Sequence, residues 1–575
     1  MNNKALLAGM LMVLPSAMMA QTARDAFSIS QNDLRGTARF MSMGGAFTAL
    51  GGDISTLNQN PGGIGVYRSS DLSATLDITR HSSDFNSVGG STSHSFTRAA
   101  CNNFGYIGTV NLGSNSVMPF FNWGASYSRV ASFDRRYRGS LGNIGSSYSN
   151  FVADIANRGN GTNGGYRPNE LLQTQDYNPY QDSYTPWSSI LAFNSYLINP
   201  VSPGANMYTG LMAYDSQGNP VSPALADVDI QEKGYIDEYS INFGGNISNT
   251  VYWGIGFGIT DLDYKSESYY SESLDNANVP DEAGTSYVRG GSADFTLGNY
   301  KHIWGSGFNF KAGVIIKPIN EFRIGIAIHT PTYYNLSYEG SASLGYLYQS
   351  DTYPLENPEN PGSKRKVYSG SEITDDGYLD NFDWQCRTPW RLMVGVAGVI
   401  GGRAILSADY EYRATNDIKV LDYDGNEWSD VTSDVKTYYK STNILRLGAE
   451  YRLTPQFSLR AGYMYETSPV QTDVMRGYNE TPNGVEATYM YTSGPDDTET
   501  LPSYTLDKQT QYFTCGLGYR YKNFYADAAY VHRHRSSKFS AFSNYNDIDG
   551  YFNEAPTAKV TDDNNSFVLT VGFRF

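Results

Sequence analysis

The C-terminal segment alternates without a break, with Phe567, Leu569, Val571, Phe573 and Phe575 on one face and Val568, Thr570, Gly572 and Arg574 on the other. A period of two is that of a β-strand, whose successive side chains point to opposite sides. A soluble sandwich would press the greasy face onto a second sheet. Here an alternating strand of about ten residues, the length that crosses a bilayer at a tilt, ends on an aromatic.

The same alternation recurs as hairpins. Leu445, Leu447, Ala449, Tyr451 and Leu453 interleave with Arg446, Gly448, Glu450 and Arg452, and the chain turns through Thr454-Pro455-Gln456 into Leu459, Ala461, Tyr463 and Tyr465. Phe308, Phe310, Ala312, Val314 and Ile316 turn into Phe322, Ile324, Ile326 and Ile328 in the same way. Gly401-Gly402 and Lys522-Asn523 read as tight hairpin turns. Strands are expected near 71–79, 103–110, 119–129, 237–247, 251–262, 305–316, 321–330, 391–400, 403–413, 442–453, 457–466, 512–522, 524–534 and 565–575, fourteen in all. Short turns alternate with long Tyr-, Asp-, Asn-, Ser- and Gly-rich segments, the asymmetry of outer-membrane barrels. The expectation is an all-β, 14-stranded antiparallel transmembrane β-barrel whose even strand count puts both ends on the periplasmic side.

Composition agrees with a strand-built membrane protein. Of 575 residues, 17% are charged, against about 25% in a soluble domain, and 14% are aromatic, with 58 Gly and 47 Tyr. Mean hydropathy is -0.43, and past the first twenty residues no apolar run approaches the roughly 18 a membrane helix needs. Lys4, the apolar stretch Ala5 to Leu14 and Ala20 before Gln21 read as a secretory signal peptide over 1–20, with Met18 larger than the small residue expected before the cut. The Gram-negative outer membrane is the implied location. A net charge of -16 argues against a nucleic-acid partner. Cys101, Cys386 and Cys515 are odd in number and far apart, so they form no disulfide framework.

Residues 21–70 precede the first strand and read differently. Met43-Gly44-Gly45-Ala46 and Leu50-Gly51-Gly52 allow backbone to approach surrounding walls closely, while Phe40, Phe47 and Leu50 offer bulk at helical spacing. A plug inside the lumen meets those demands. Asp53-Ile54-Ser55-Thr56-Leu57 then leads to Asn60-Pro61-Gly62, where Pro61 fixes one dihedral and biases Asn60 toward extended geometry.

Here the sequence resembles the FadL/TodX family of outer-membrane long-chain fatty-acid and hydrocarbon transporters. That family's hatch carries a small-residue stretch, an acidic segment with Ser or Thr, and Asn-Pro-Ala; Asp53-Ile54-Ser55-Thr56 and Asn60-Pro61-Gly62 match it, with Gly62 in place of Ala. The resemblance implies passive, hatch-gated uptake of a hydrophobic small molecule, and assigns the gating role to Asp53, Ser55, Asn60, Pro61 and Gly62. Lateral exit at a kinked third strand is also a family trait, and residues 120–129 show no bulge signal beyond Gly124. The rest of the chain, 71–575, is the barrel with its long loops.

The longest loop, 131–236, holds Pro186 to Ile198, with Trp187, Ile190, Leu191 and Leu197 near one helical face and Phe193 beside them. It serves either as a ligand-capture surface or as a lid packed on its neighbours. Phe40, Phe47, Leu50, Ile54 and Leu57 either line an internal pocket or pack on the barrel wall. Lumen-side Arg323, Asp409, Glu411, Arg413, Arg446, Glu450, Arg452 and Arg460 either hold a carboxylate headgroup or neutralise one another, pairing being the more usual outcome. No Ser/His/acid constellation and no phosphate-binding Gly-rich loop marks an enzyme, and no cofactor or metal is implied. Two other readings stand beside transport. One is a scaffold for an envelope protein partner, to which long Tyr- and Asp-rich loops are suited. The other is haem binding by His532 and His534, which share a strand face. Outer-membrane lipid is the expected surround, and Phe575 the strand end offered to the barrel-assembly machinery.

Overall fold

A computed structural model describes residues 23–113, 115–142, 144–159, 164–181, 185–221, 225–281, 287–351, 366–482, 484–488, 498–547 and 549–575. The signal peptide expected over 1–20 lies outside them.

All fourteen expected strands are present. They are β1 Asp71–Ser87, β2 Gly90–Asn111, β3 Phe120–Ser132, β4 Leu225–Ile247, β5 Val251–Asp275, β6 Gly291–Ile319 and β7 Phe322–His329. Then come β8 Arg391–Ile400, β9 Ala404–Arg413, β10 Thr442–Arg452, β11 Phe457–Glu466, β12 Tyr504–Tyr521, β13 Phe524–Ser540 and β14 Thr557–Arg574. Each pairs antiparallel with its sequence neighbour, and β14 closes on β1 from Asp71 opposite Arg574 to Asn86 opposite Lys559. Closure leaves the sheet no unpaired edge, which hydrocarbon requires because it cannot satisfy a backbone N–H or C=O.

Sidedness follows the alternation. On β14, Phe567, Leu569, Val571 and Phe573 are exposed on the outer wall, whereas Val568 and Thr570 are buried against the lumen contents. Leu445 and Leu447 face out, and Arg446 and Glu450 face in and are buried. The result is a continuous apolar belt around the barrel. Water does not solvate such a surface and lipid does, so the barrel spans a membrane.

On the side opposite the short turns the strands run well past the belt. The segment 80–102, expected as a long polar loop, is the upper part of a hairpin in which Ser87 pairs with Gly90. Its Ser- and Thr-rich faces carry no greasy side, so the alternation that reveals a half-buried strand stops at the belt edge although the ladder continues. Prolines mark the same edge elsewhere. β7 ends at His329, and beyond Pro331 the chain resumes as Tyr333–Ser350 on the same partner, β6. Asp380–Arg387 precedes β8 with Pro389 between them. Proline has no N–H for the ladder and so interrupts a strand.

Two of the wall's register shifts lie near one another. Between β1 and β2 the register shifts after Thr75, which places both Asn102 and Asn103 in the buried interior. Between β3 and β4 it shifts between Arg129 and Ala131, a bulge not signalled by Gly124. The plug supports it, since Asp33 N donates to Val130 O at 2.9 Å. The β2–β3 ladder ends at Asn103 opposite Ser128. Above that point Arg135–Gly142 pairs with β4, and Arg98 reaches Asp134 at 2.8 Å.

Loops close the far end with an apolar cap. The helix Tyr148–Arg158 buries Phe151, Val152 and Ile155 against the helix Trp187–Asn194 and against Phe539 and Phe542 at the end of the β13 segment. The first helix is tied down by Glu272, whose carboxylate accepts from Ser147 Oγ at 2.5 Å, Tyr148 N at 2.8 Å and Tyr270 Oη at 2.6 Å. Burial outweighs these bonds and pushes the Glu272 carboxyl up to about 7.

Two outcomes follow. Leu447→Arg, on the belt, lowers stability in vesicles by about 2–4 kcal/mol in denaturant titrations, whereas Val485→Arg in an exposed loop changes nothing measurable. Because the folded pKa of Glu272 is raised, the cap has its full stability below the ordinary 4.5 and loses it as pH rises through about 7. Hydrogen exchange of amides 148–158, corrected for intrinsic rate, is therefore faster at alkaline than at acid pH, and Glu272→Gln removes the dependence.

Candidate functional site

Residues 23–70 fill the lumen, and their fold is built from short capped segments. Thr37 caps the helix Ala38–Ser42 by accepting from Phe40 N at 3.1 Å. Asp53 caps the 3₁₀ turn Ile54–Asn58 by accepting from Ser55 N at 3.0 Å, and its carboxylate also takes the Thr37 hydroxyl at 2.8 Å. Ser55 Oγ in turn accepts from Thr37 N at 2.7 Å. Asp53 and Ser55 therefore clamp the two halves of the plug together.

Asn60 does two things. Its Oδ1 accepts from Gly62 N at 2.9 Å, capping the turn Pro61–Val66, while its Nδ2 donates to Thr48 O at 2.6 Å. Pro61 occupies the first position of that turn, where its missing N–H costs nothing. Gly62 lies against the wall: a Cβ there would stand 2.9 Å from Gly313 O on β6 and 3.0 Å from Asn60 Oδ1. An alanine there needs the wall or the Asn60 side chain to shift, so packing favours glycine at 62.

The plug is fastened to the barrel by hydrogen bonds and ion pairs from inward-facing side chains. Thr570 accepts from Ala38 N at 2.7 Å, Asp409 accepts from Thr48 N at 2.7 Å, and Asn122 donates to Ile64 O at 2.7 Å. Arg323 donates to Leu50 O at 2.7 Å, and Arg39 pairs with Glu450 at 3.0 Å.

The apolar candidates divide. Phe40 lines a cavity between the plug and the wall, and Leu50 lines a second one at the short-turn end. Phe47 is fully buried beside Phe40, with ring centroids 5.3 Å apart and the Arg39 guanidinium 5.2 Å over its ring. Ile54 and Leu57 pack with Ile64, Tyr67 and the wall residue Ile107. In the long loop, Trp187, Ile190, Leu191 and Leu197 are buried in the cap, and Phe193 packs edge-on to Tyr208. Among the described residues these side chains face the interior of the cap.

The cavity between plug and wall measures about 120 Å³ and mixes apolar walls (Leu34, Phe40, Ile236, Met464) with charge. Pairing among the lumen charges holds in part. Glu411 receives Arg391 at 2.7 Å, Arg446 at 2.5 Å and Arg413 at 3.4 Å, and Arg413 also approaches Glu466 at 3.4 Å. Lys311 pairs with Glu238. Three arginines thus share one fully buried glutamate. Arg413 Nε and Arg446 Nη1 are buried with no hydrogen-bond partner among the described residues, as are Gln59 Oε1 and Asn309 Oδ1, all on residues that line this cavity. An unpaired buried donor is costly unless something polar meets it. Alternation alone marks Arg413 and Arg446 as lumen-facing, but their convergence with Arg391 depends on how three strands register and has no local signal.

His532 and His534 face outward above the belt, where they meet Asn565 at 3.0 Å and Asp563 at 2.7 Å. Among the described residues no group of three metal-ligating side chains converges.

No family model matches the chain, and no curated protein matches it. Among solved structures it is similar to a Pseudomonas aeruginosa FadL homologue, at 12% identity over 95% of this chain and 99% of that one, with a TM-score of 0.47. It is also similar to the Pseudomonas putida toluene transporter TodX (12%, 95% and 99%, 0.40) and to the Ralstonia pickettii toluene transporter TbuX (15%, 94% and 99%, 0.40).

Asn60→Ala removes the cap on Gly62 N and the bond to Thr48 O, a loss of about 1–3 kcal/mol for a buried pair that falls on the plug alone. Hydrogen exchange in 44–66 accelerates, while the barrel still migrates as a folded, heat-modifiable band.

Proposed function

We propose that this chain is a passive outer-membrane channel for hydrophobic small molecules that carry an anionic head, long-chain fatty acids being the class that suits it best, and that residues 23–70 act as its hatch. One observation carries the reading. A membrane barrel holds, between its plug and its wall, a chamber with apolar walls and a guanidinium cluster that its own carboxylates do not saturate. The hydrogen-bonding capacity left at Arg413 and Arg446 suits a carboxylate, which takes paired N–H donors from arginine. Leu34, Phe40, Ile236 and Met464 supply the surface for the first carbons of an alkyl chain.

The lumen is closed twice, by the loop cap above and by the plug below. Passage therefore needs the plug to shift. The fastening supports that role: beside apolar packing on the wall it includes discrete hydrogen bonds and ion pairs, each exchangeable for water, and the Asp53, Ser55 and Asn60 clamps keep the plug folded while it moves. The Asn60-Pro61-Gly62 resemblance points the same way. Trp187, Ile190, Leu191, Phe193 and Leu197 would contribute as the underside of a lid that a ligand must part.

Arg446→Gln lowers uptake of a long-chain fatty acid about tenfold, a change of about 1.4 kcal/mol in binding, and leaves uptake of an uncharged alkane of equal length unchanged. Equal loss for both, or for neither, contradicts the assignment. Asn60→Ala combined with Pro61→Ala alters uptake of both while the barrel stays folded; unchanged uptake contradicts the hatch.

A further inference from the structure

The short-turn mouth of the barrel holds a second chamber, about 480 Å³ in volume, below the plug. Its composition is at odds with the chain as a whole. The protein carries a net charge of -16, yet seven arginines line this chamber against two carboxylates, Glu450 and Asp527.

Those two carboxylates are already engaged. Glu450 pairs with Arg39 at 3.0 Å and with Arg460 at 2.6 Å, and Asp527 pairs with Arg460 at 2.6 Å. Arg574 is held by Asp71 at 2.9 Å. The other arginines have no ion pair among the described residues. Arg323 uses one nitrogen on Leu50 O, and its Nε is buried without a partner. Arg68 donates to the Asn249 side chain at 3.3 Å. The Arg452 and Arg520 side chains make no hydrogen bond or ion pair among the described residues, and they stand at the ends of β10 and β12, on either side of β11, to whose leading turn β12 is tied by Arg520 N donating to Gln456 O at 2.9 Å. Like charges gathered in one concave space repel, and a cleft lined by one sign focuses the field and concentrates counter-ions.

We infer that this chamber is a binding site for a small soluble anion bearing two or more phosphate or carboxylate charges, held by Arg323, Arg452 and Arg520 with Arg574 beside them. Guanidinium forks match such oxyanions in pairs. The orientation selects a soluble ligand over a lipid headgroup. Arg520 alternates with Tyr519 and Tyr521, and Arg574 with Phe573 and Phe575, all of which face the lipid side of the wall. The arginines therefore point into the mouth, where a bilayer phosphate does not reach. The floor of the site is the plug itself: Arg39 and Arg574 also reach Gly52 O, at 3.4 and 3.5 Å. The inference does not depend on what crosses the barrel.

The test uses the full-length protein in an uncharged detergent at low ionic strength, titrated with inorganic pyrophosphate by calorimetry. Saturable binding near one equivalent is expected, weakened at least about tenfold in Arg452→Gln/Arg520→Gln and weakened by added salt, with Arg452→Lys/Arg520→Lys in between because lysine keeps the charge and loses the fork. Both residues are exposed at strand ends, so the variants keep the folded barrel, checked by heat-modifiability. No saturable binding by the parent protein, or equal affinity in the Gln variant, overturns the site. Displacement of pyrophosphate by phosphatidylglycerol in nanodiscs, but not by soluble phosphates, overturns the choice of a soluble ligand.

Discussion

Everything in this molecule depends on closing the backbone ladder. In hydrocarbon an unpaired N–H or C=O finds no substitute for its partner, so the strand that ends at Arg574 must meet the strand that begins at Asp71. Once the ring is shut, each inward position is committed to the lumen and each outward one to lipid. The sequence then has to satisfy two solvents along one strand, residue by residue. Leu447 and Gly448 are neighbours in the chain and live in different media.

Closure of fourteen strands leaves an interior too wide for wall side chains alone to fill, and the plug fills it by bringing small residues up to the wall backbone. Gly44 shows the tolerance: its φ of +61° and its contact with Tyr463, whose backbone nitrogen would lie 2.9 Å from a Cβ, leave no room for a side chain. The wall answers with side chains that cap the plug's backbone, such as Thr570, Asp409 and Asn122. Beside this seal and below it lie two chambers of different character, one with mixed apolar and cationic walls, the other dominated by arginine. Charge in the first is buried at a cost that pairing only partly offsets, and in the second the strand-end Arg452 and Arg520 are exposed without an ion pair among the described residues.

The strands of the belt were readable because one of their faces is greasy. Phe567 to Phe573, Leu445 to Leu453 and Phe322 to Ile328 stand where alternation put them. The extension of β1 and β2 to Ser87 and Gly90 was not readable, since above the belt both faces are polar and a strand there looks like a loop. The bulge between Arg129 and Ala131 has no local signal, and the partner that takes up its Val130 carbonyl, the plug's Asp33, is far away in sequence. At the site, Asn60-Pro61-Gly62 announced a specified turn, but that Gly62 touches Gly313 is a fact of packing. The grouping of Arg391, Arg413 and Arg446 on Glu411 arises from register across three neighbouring strands, and the arginine-lined mouth gathers residues from the plug and the ends of several strands. Neither has a local motif.

The central claim is that the intact lumen retains an acyl chain by its acid head. Its most direct test is extraction of the purified protein in mild detergent, followed by mass spectrometry of the small molecules it carries, with a form lacking residues 23–70 as control. The account predicts long-chain carboxylic acids bound to the intact protein and lost from the control. An intact protein that carries none, or that carries uncharged lipids equally in both forms, would contradict it.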